Sequence, residues 1–187
     1  FDACMRNLRA SDLLPALEQQ VLLRGVPLLG ICVGAQMLGH RSAEGVELGL
    51  GWIDMQVEKF PELPDLRVPH MGWNHVCPVQ LDHPLTQDMT TDTRFYFVHS
   101  YCMVPQNSTD VLLHADYGLR FAAGGQRLGG PGAAQLVEPP DPAAVLVTAN
   151  PVGASLLAKT VGQLASILNV LQPSRASSAP KGRGHCI

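Results

Sequence analysis

Residues 27–39 read PLLGICVGAQMLG, and they carry the clearest indication of the fold. The apolar run over residues 26–31 is typical of a central parallel strand that is covered on both faces. Cys32 follows this run, and residues 34–39 are predicted to begin a helix. A strand that leads directly into a helix is the repeating unit of an α/β fold. The sequence therefore places a thiol at the tip of a strand, between glycines.

The segment from Gly30 to Gly34 has the pattern of a nucleophile elbow, in which the reactive residue stands between two glycines. Side chains at the glycine positions are expected to clash with the neighbouring strand and helix. The following helix favours the thiolate form of Cys32, and the Val33 N–H is placed to stabilise an oxyanion. The alternative interpretation is that Cys32 is a small buried apolar side chain, as free cysteines often are.

The rest of the chain alternates between helix and strand patterns. Residues 3–24 are predicted to be helical, with a second segment starting at Ser11-Asp12 and an end at Gly25. Aromatic and β-branched residues predict one strand over 94–104. Residues 110–118 and 119–123 are expected to pair as strands.

Composition excludes several classes of function. The 187 residues carry a net charge of −3 without a basic stripe, so no nucleic-acid partner is expected. No run of 18 apolar residues predicts a membrane span, and the opening residues lack the pattern of a signal peptide. The five cysteines are odd in number and scattered, which indicates free thiols in the cytoplasm. No metal site or cofactor is predicted, because no C-x-x-C pair occurs.

Composition changes sharply near residue 122. Residues 122–187 contain no aromatic residue and carry five Lys/Arg against two Asp/Glu. Residues 124–142 hold five glycines and four prolines, which is typical of a loop. We therefore predict a domain over residues 1–122 and a divergent Gly/Pro/Ala-rich tail over 123–187, with a helix near 152–171.

The motif GICVGAQ, residues 30–36, resembles the elbow of the class I (triad) glutamine amidotransferases. Further phrases resemble one group in this family, the amidotransferase subunits of imidazole glycerol phosphate synthases, which act in histidine biosynthesis. They are GLGW (49–52), VPHMGWNHV (68–76), HPL (83–85), FYFVHSYCMVP (95–105) and DYGLRF (116–121). The resemblance covers about residues 1–122. It implies a flavodoxin-like or Rossmann-like parallel sheet with helices on both faces, incomplete here at both ends.

The resemblance also implies roles for individual residues. Cys32 would attack the carboxamide of L-glutamine, form a thioester and release ammonia. The remaining residues implied to contact this substrate are Val33, Gly34, Gln36, Glu44 and the main chain of His99, Ser100 and Tyr101. His99 itself is expected to be a structural histidine rather than the catalytic base.

The predicted partner is the cyclase subunit of the same synthase, which would receive the ammonia in a heterodimer. The residues implied to lie at this interface are Met71, Gly72, Trp73 and Asn74. The alternative for Trp73 is simple core packing. A second hypothesis for the whole chain is a non-catalytic pseudo-subunit that still binds a cyclase, and a third is another triad amidotransferase, against which HMGWN argues.

Two parts of the family pattern are missing from the sequence. The family takes its base and orienting carboxylate from a late His-Pro-Glu turn, and this chain contains no His-x-Glu. The family also carries an oxyanion loop before an Ala-Phe-Asp phrase, whereas this chain opens at Phe1-Asp2. We expect little turnover without these parts. Two explanations for the tail remain open, a shifted reading frame, which we favour, and a divergent non-catalytic relative.

Overall fold

A computed structural model describes residues 1–83, 85–127 and 144–147 of the chain. The helical segments in this part are α1 (Asp2–Ala10), α2 (Leu13–Glu18), a π-helical turn (Gln19–Leu23), α3 (Val33–Gln36) and a 3-10 turn (Ser108–Asp110). The strands are β1 (Leu28–Ile31), β2 (Arg41–Ser42), β3 (Met55–Lys59), β4 (His70–His75), β5 (Cys77–Pro78), β6 (Arg94–His99), β7 (Tyr101–Pro105), β8 (Val111–Tyr117), β9 (Leu119–Arg127) and β10 (Ala144–Val147). None of the helices described is long and apolar enough to cross a membrane.

The predicted amino-terminal helix is confirmed, and it is divided where the sequence indicated. α1 ends at Ala10, and Ser11 adopts an extended backbone conformation. Pro15 lies in the first turn of α2, where backbone N–H groups have no intrahelical acceptor, so the N–H that proline lacks costs no hydrogen bond. Gly25 has a φ of 67° and ends the helical region, because glycine adopts this conformation without a Cβ clash.

The main sheet is mixed, and the predicted α/β class is confirmed. Its strand order is β1-β10-β9-β7-β3-β2, with β8 on β9 and β5 on β8. The pairs β1–β10 and β2–β3 are parallel, and the other pairs of this sheet are antiparallel. The expected hairpin is present as β8 and β9, turned at Gly118 with a φ of 69°.

The strand predicted over residues 94–104 is two strands in two sheets. β6 pairs with β4 in a separate two-stranded ribbon, whereas β7 pairs with β3 and β9 in the main sheet. The chain passes between the two sheets at Ser100, whose carbonyl accepts a hydrogen bond from the Phe60 N–H at 3.0 Å. The prediction of one continuous strand was wrong because side-chain propensity does not report this change of partner.

The main sheet is buried on both faces. Successive strand residues point to opposite faces, and neighbouring residues of β7, β8 and β9 accordingly enter two different core clusters. One cluster joins the sheet to the helices through Val21 and Ala35. The other joins it to the β4–β6 ribbon through Phe97 and to Phe60. The sheet therefore holds the helices and the ribbon on opposite sides.

The sequence did not predict β10, which lies between β1 and β9 in the sheet. Its apolar residues, Ala144–Val147, follow a stretch rich in glycine and proline that indicates a loop. The helix predicted near residues 152–171 lies outside the described residues. The proposed boundary at residue 122 stays a prediction.

Replacing Phe60 by alanine tests the second core cluster. The Phe60 side chain is 1% exposed and makes edge-on ring contacts with His99 and Phe121 at centroid distances of 5.0 and 5.3 Å. Loss of this ring is expected to lower the free energy of unfolding by about 3–5 kcal/mol, measured by chemical denaturation. Leu23→Ala, at a side chain that is 78% exposed, is the control and should change it by less than about 0.5 kcal/mol. Equal effects of the two substitutions would contradict this core.

Candidate active site

Cys32 occupies a strained turn between β1 and α3. Its φ of 53° and ψ of −123° make it the one non-glycine residue with positive φ in the described part of the chain. Such a conformation costs on the order of 1–3 kcal/mol in a non-glycine residue and is concentrated at functional sites. The Cys32 side chain is neither fully buried nor fully exposed. The geometry agrees with a nucleophile elbow and disagrees with a cysteine that only fills the core.

The two flanking glycines differ in why they are needed. A Cβ at Gly30 would lie 2.9 Å from the nitrogen and Cα of Ala35 and from the carbonyl oxygen of Gly34. These are backbone atoms, so the close approach of α3 to β1 requires glycine at this position. A Cβ at Gly34 would meet no heavy atom of the described residues within 4 Å. The expected steric role therefore holds for Gly30 and not for Gly34.

Three polar groups beside Cys32 have no partner among the described residues. The Cys32 carbonyl accepts hydrogen bonds from the N–H groups of Ala35 at 3.0 Å and Gln36 at 3.2 Å. No acceptor among the described residues meets the N–H groups of Val33 and Gly34. The Gln36 side chain is 7% exposed and makes no hydrogen bond to the residues described. These donors are available to a bound molecule at the elbow.

The register of the sheet relates the elbow to the segment around Tyr101. β7 pairs with β9 through Met103 and Ala122. In this antiparallel register Tyr101, two residues before Met103, lies opposite Gly124, two residues after Ala122. β10 pairs with both β9 and β1, and these pairings align Gly124 with Ile31, the last residue of β1. Three strand spacings separate β1 from β7, about 14 Å. The elbow and the start of β7 therefore lie at the same height of the sheet.

Glu44 lies in the loop that contacts α1. Its Oε2 is 3.3 Å from the amino-terminal nitrogen of Phe1, and its side chain is 41% exposed. Asp2 of α1 accepts hydrogen bonds from the N–H groups of Val46 and Glu47 at 3.1 and 3.0 Å. These two bonds lower the pKa of the Asp2 carboxyl. The predicted contact of Glu44 with glutamine stays a prediction.

His99 is paired with a second buried histidine that the sequence analysis did not single out. His99 Nε2 lies 2.9 Å from His70 Nδ1, and His99 Nδ1 lies 2.8 Å from the Tyr101 carbonyl oxygen. His70 Nε2 lies 3.4 Å from Asn74 Nδ2, which also donates to the Asp116 carbonyl at 2.9 Å. Both imidazoles are less than 9% exposed. His99 is thus held between His70 and the Tyr101 carbonyl.

Both imidazoles of this pair are held in the neutral form. Burial, and to a smaller extent the neighbouring His99, lowers the pKa of His70 to about 4. Burial also lowers the pKa of His99, against the opposing effect of its bond to the Tyr101 carbonyl. Neither histidine is therefore available as a charged acid near neutral pH.

The β4–β6 ribbon turns one face to solvent. Met71 pairs with Val98, and Trp73 pairs with Tyr96, across its two strands. The two aromatic rings meet edge to face with centroids 5.6 Å apart. Met71 is 61% exposed and Trp73 49% exposed. Alternation along β4 leaves Gly72 and Asn74 on the inner side, where Asn74 makes its hydrogen bonds. We call the outer residues Met71, Trp73, Tyr96 and Val98 the ribbon face.

The part of the chain that the structure describes does not bring a carboxylate-paired histidine to the elbow. Its one histidine–carboxylate ion pair joins His40 Nε2 to Asp54 Oδ1 at 3.1 Å, with both side chains about half exposed. His40 directly precedes β2, its ring is bonded to Asp54, and no contact between it and Cys32 is seen among the described residues. The described residues also contain no cluster of three metal-ligating side chains.

Comparison with known proteins identifies the class to which this elbow belongs. The family model described as "Glutamine amidotransferase class-I" matches residues 7–123, which include the elbow and the ribbon. The chain belongs to this family.

Its relatives within the family are more specific. Imidazole glycerol phosphate synthase subunit HisH 2 of Pseudomonas aeruginosa is 52% identical over 123 residues, covering 66% of this chain and 60% of that protein. Subunit HisH of Bdellovibrio bacteriovorus is 46% identical over 125 residues, covering 65% and 61%. The chain thus spans about 60% of the length of these curated relatives. A glutamine amidotransferase from Thermotoga maritima superimposes with a TM-score of 0.47 at 18% identity, over 83% of this chain and 52% of that one.

The contrast between the two glycines can be tested by alanine at each position. Gly30→Ala places a Cβ against backbone and is expected to lower the free energy of unfolding by about 1–3 kcal/mol. Gly34→Ala is the matched control, because the described residues leave its Cβ in open space. It should change stability by less than about 0.5 kcal/mol in the same denaturation experiment. A tolerated Gly30→Ala would show that α3 does not approach β1 as described.

The buried His70 predicts a loss of stability in acid. The unfolded chain binds a proton at the ordinary histidine pKa of 6.5, whereas the folded chain binds it at about 4. The free energy of unfolding is therefore expected to fall as the pH drops from about 6.5 to 4, with a contribution on the order of 3 kcal/mol from His70. His70→Phe should flatten this part of the profile, measured by denaturation at several pH values. An unchanged slope in the variant would contradict a buried neutral His70.

Proposed function

We propose that this chain is the glutamine-hydrolysing subunit of an imidazole glycerol phosphate synthase and supplies ammonia to a cyclase partner in the cytoplasm. The single observation that carries the proposal is Cys32 at the strained turn between β1 and α3. The family match and the two HisH relatives support it. Because the chain spans about 60% of their length, activity, substrate and partner are inferred for this chain.

In the proposed reaction the thiolate of Cys32 attacks the side-chain carbonyl carbon of L-glutamine. The carbonyl oxygen becomes an oxyanion, and the Val33 N–H, which has no acceptor among the described residues, can donate a hydrogen bond to it. The C–N bond then breaks, the nitrogen takes a proton and leaves as ammonia, and a glutamyl thioester remains on Cys32. Water hydrolyses this thioester to glutamate and regenerates the thiol.

The substrate would lie between the elbow and the start of β7. The two are level in the sheet, and the Gln36 side chain beside Cys32 has no hydrogen-bond partner among the described residues. We assign the polar ends of glutamine to Gln36 and to the main chain of Ser100 and Tyr101. Glu44 is retained as a further contact.

The ribbon face is the proposed docking surface for the cyclase. Aromatic and methionine side chains are enriched at the centres of protein interfaces, and Met71, Trp73 and Tyr96 lie together on this face. The sequence predicted Gly72 and Asn74 at the same interface, but the Asn74 side chain is directed inward. We therefore restrict the surface to the four outer residues.

A non-catalytic subunit is the second candidate. The observation that favours it is the lack of any His-x-Glu in the sequence, whereas the ribbon face is fully described. Such a subunit would bind the cyclase without hydrolysing glutamine. The trapping experiment below separates the candidates because it reports the reactive thiol, whereas the docking experiment tests the surface that both candidates would use.

Covalent trapping tests the proposed nucleophile. A diazoketone analogue of L-glutamine is expected to label Cys32 at least about tenfold faster than Cys77, which is exposed but lies on a strand edge away from the elbow. Peptide mass spectrometry after brief exposure measures the labelling of each thiol. Cys32→Ala should abolish the fast reaction. Equal labelling of Cys32 and Cys77 would contradict the glutaminase proposal and leave the non-catalytic candidate.

Alanine at Trp73 tests the docking surface. Its loss is expected to weaken binding to a cyclase subunit from the P. aeruginosa synthase by at least about 2 kcal/mol, roughly 30-fold, measured by calorimetry. Leu23→Ala removes an exposed apolar side chain from the π-helical turn, away from the ribbon face, and is the control. Undiminished affinity of Trp73→Ala would rule out the ribbon face as the docking site.

A further inference from the structure

The buried pair of His70 and His99 is not used by the proposed reaction, although it lies directly beside the segment assigned to glutamine binding. His99 Nδ1 is 2.8 Å from the carbonyl oxygen of Tyr101. His70 Nδ1 is 2.9 Å from His99 Nε2. The pair therefore connects the inner side of the ribbon to the first residue of β7.

The hydrogen-bond partners fix a single direction along this chain of contacts. A carbonyl oxygen can only accept, so His99 Nδ1 must carry the proton that meets Tyr101. A neutral imidazole has one N–H, so His99 Nε2 must accept from His70 Nδ1–H. His70 Nε2 is then an acceptor as well, and the Asn74 amide donates to it at 3.4 Å. Every polar atom of the two rings has a partner in this one arrangement.

Aromatic rings hold both imidazoles in place. The Tyr117 ring stacks on His70 with centroids 3.8 Å apart and an interplanar angle of 18°. Phe97 stacks on His70 at 4.7 Å and 15°. Phe60 meets the edge of the His99 ring at 5.0 Å. Burial among these rings disfavours a charged imidazole, which keeps the donors and acceptors in the order just described.

We propose that His70 and Asn74 are positioning residues for glutamine binding, which act through His99 to hold the Tyr101 carbonyl and thereby the main chain of Ser100 and Tyr101. The role deepens the proposed function and rests on it. The Ser100 carbonyl is fixed separately by the Phe60 N–H at 3.0 Å. Both carbonyls of the segment are thus held by the protein, which presets the backbone for an amino-acid substrate and reduces the ordering that binding requires.

The first test is the protonation state of the two rings in the unmodified protein. Nitrogen-15 NMR of the labelled imidazoles at neutral pH should show His70 and His99 both neutral with the proton on Nδ1. His83 provides the opposite reference, because its Nδ1 accepts from the Leu85 N–H at 3.2 Å and leaves its proton on Nε2. A proton on Nε2 of either His70 or His99, or a charged ring, would overturn the proposal.

The second test compares two reagents on Cys32. His70→Phe keeps an aromatic ring but removes the donor to His99, and it should slow labelling by the diazoketone analogue of glutamine about tenfold. Labelling by iodoacetamide, which needs no glutamine site, should be unchanged. His70→Asn retains a donor nitrogen at the position of Nδ1 and should restore most of the rate. His75→Phe, the same substitution at the exposed end of β4, is the control.

The outcomes separate this inference from the proposed function. If the wild-type protein shows no preference for the glutamine analogue, the proposed function fails and the positioning role fails with it. If the wild type shows the preference and His70→Phe retains it, only the positioning role is overturned. Equal slowing of both reagents in His70→Phe would indicate a general loss of structure, and the decision would then rest on His70→Asn. If His70→Asn also slowed both reagents equally, the positioning role would be overturned.

Discussion

The close approach of α3 to β1 at Gly30 is the constraint on which the rest of the site depends. Backbone atoms of Gly34 and Ala35 lie 2.9 Å from the position that a Cβ at Gly30 would take. The tight turn between β1 and α3 holds Cys32 at a φ of 53°. The helix, in turn, is held by Ala35, which is fully buried in the core cluster on its side of the sheet. The burial of apolar surface therefore offsets the strain that exposes the thiol.

The opposite face of the sheet serves a different purpose. There the β4–β6 ribbon supplies an aromatic core on its inner side and an apolar surface on its outer side. Two buried histidines join this ribbon to the start of β7 through hydrogen bonds rather than packing alone. The sheet register brings that start level with the elbow.

Local signals in the sequence were sufficient for the elbow, the amino-terminal helices and the β8–β9 hairpin, because glycines and apolar periodicity mark them directly. The break at Ser100, the pairing of His70 with His99 and the inward direction of Asn74 depend on contacts between distant segments. The local sequence could predict only one of these features. Period-two alternation in HMGWNH places Met71 and Trp73 on one face of the strand and Asn74 on the other. β10 was not predicted because its four apolar residues directly follow a Gly/Pro-rich stretch that indicates a loop.

The role of Cys32 as nucleophile is best tested by a crystal structure of the protein after reaction with the diazoketone analogue of L-glutamine. We expect a covalent bond from Cys32 Sγ to the ligand, a positive φ at Cys32, and the amino-acid end of the ligand against the main chain of Ser100 and Tyr101. A ligand bonded to another cysteine, or a relaxed Cys32 with its sulfur directed into the core, would contradict this role.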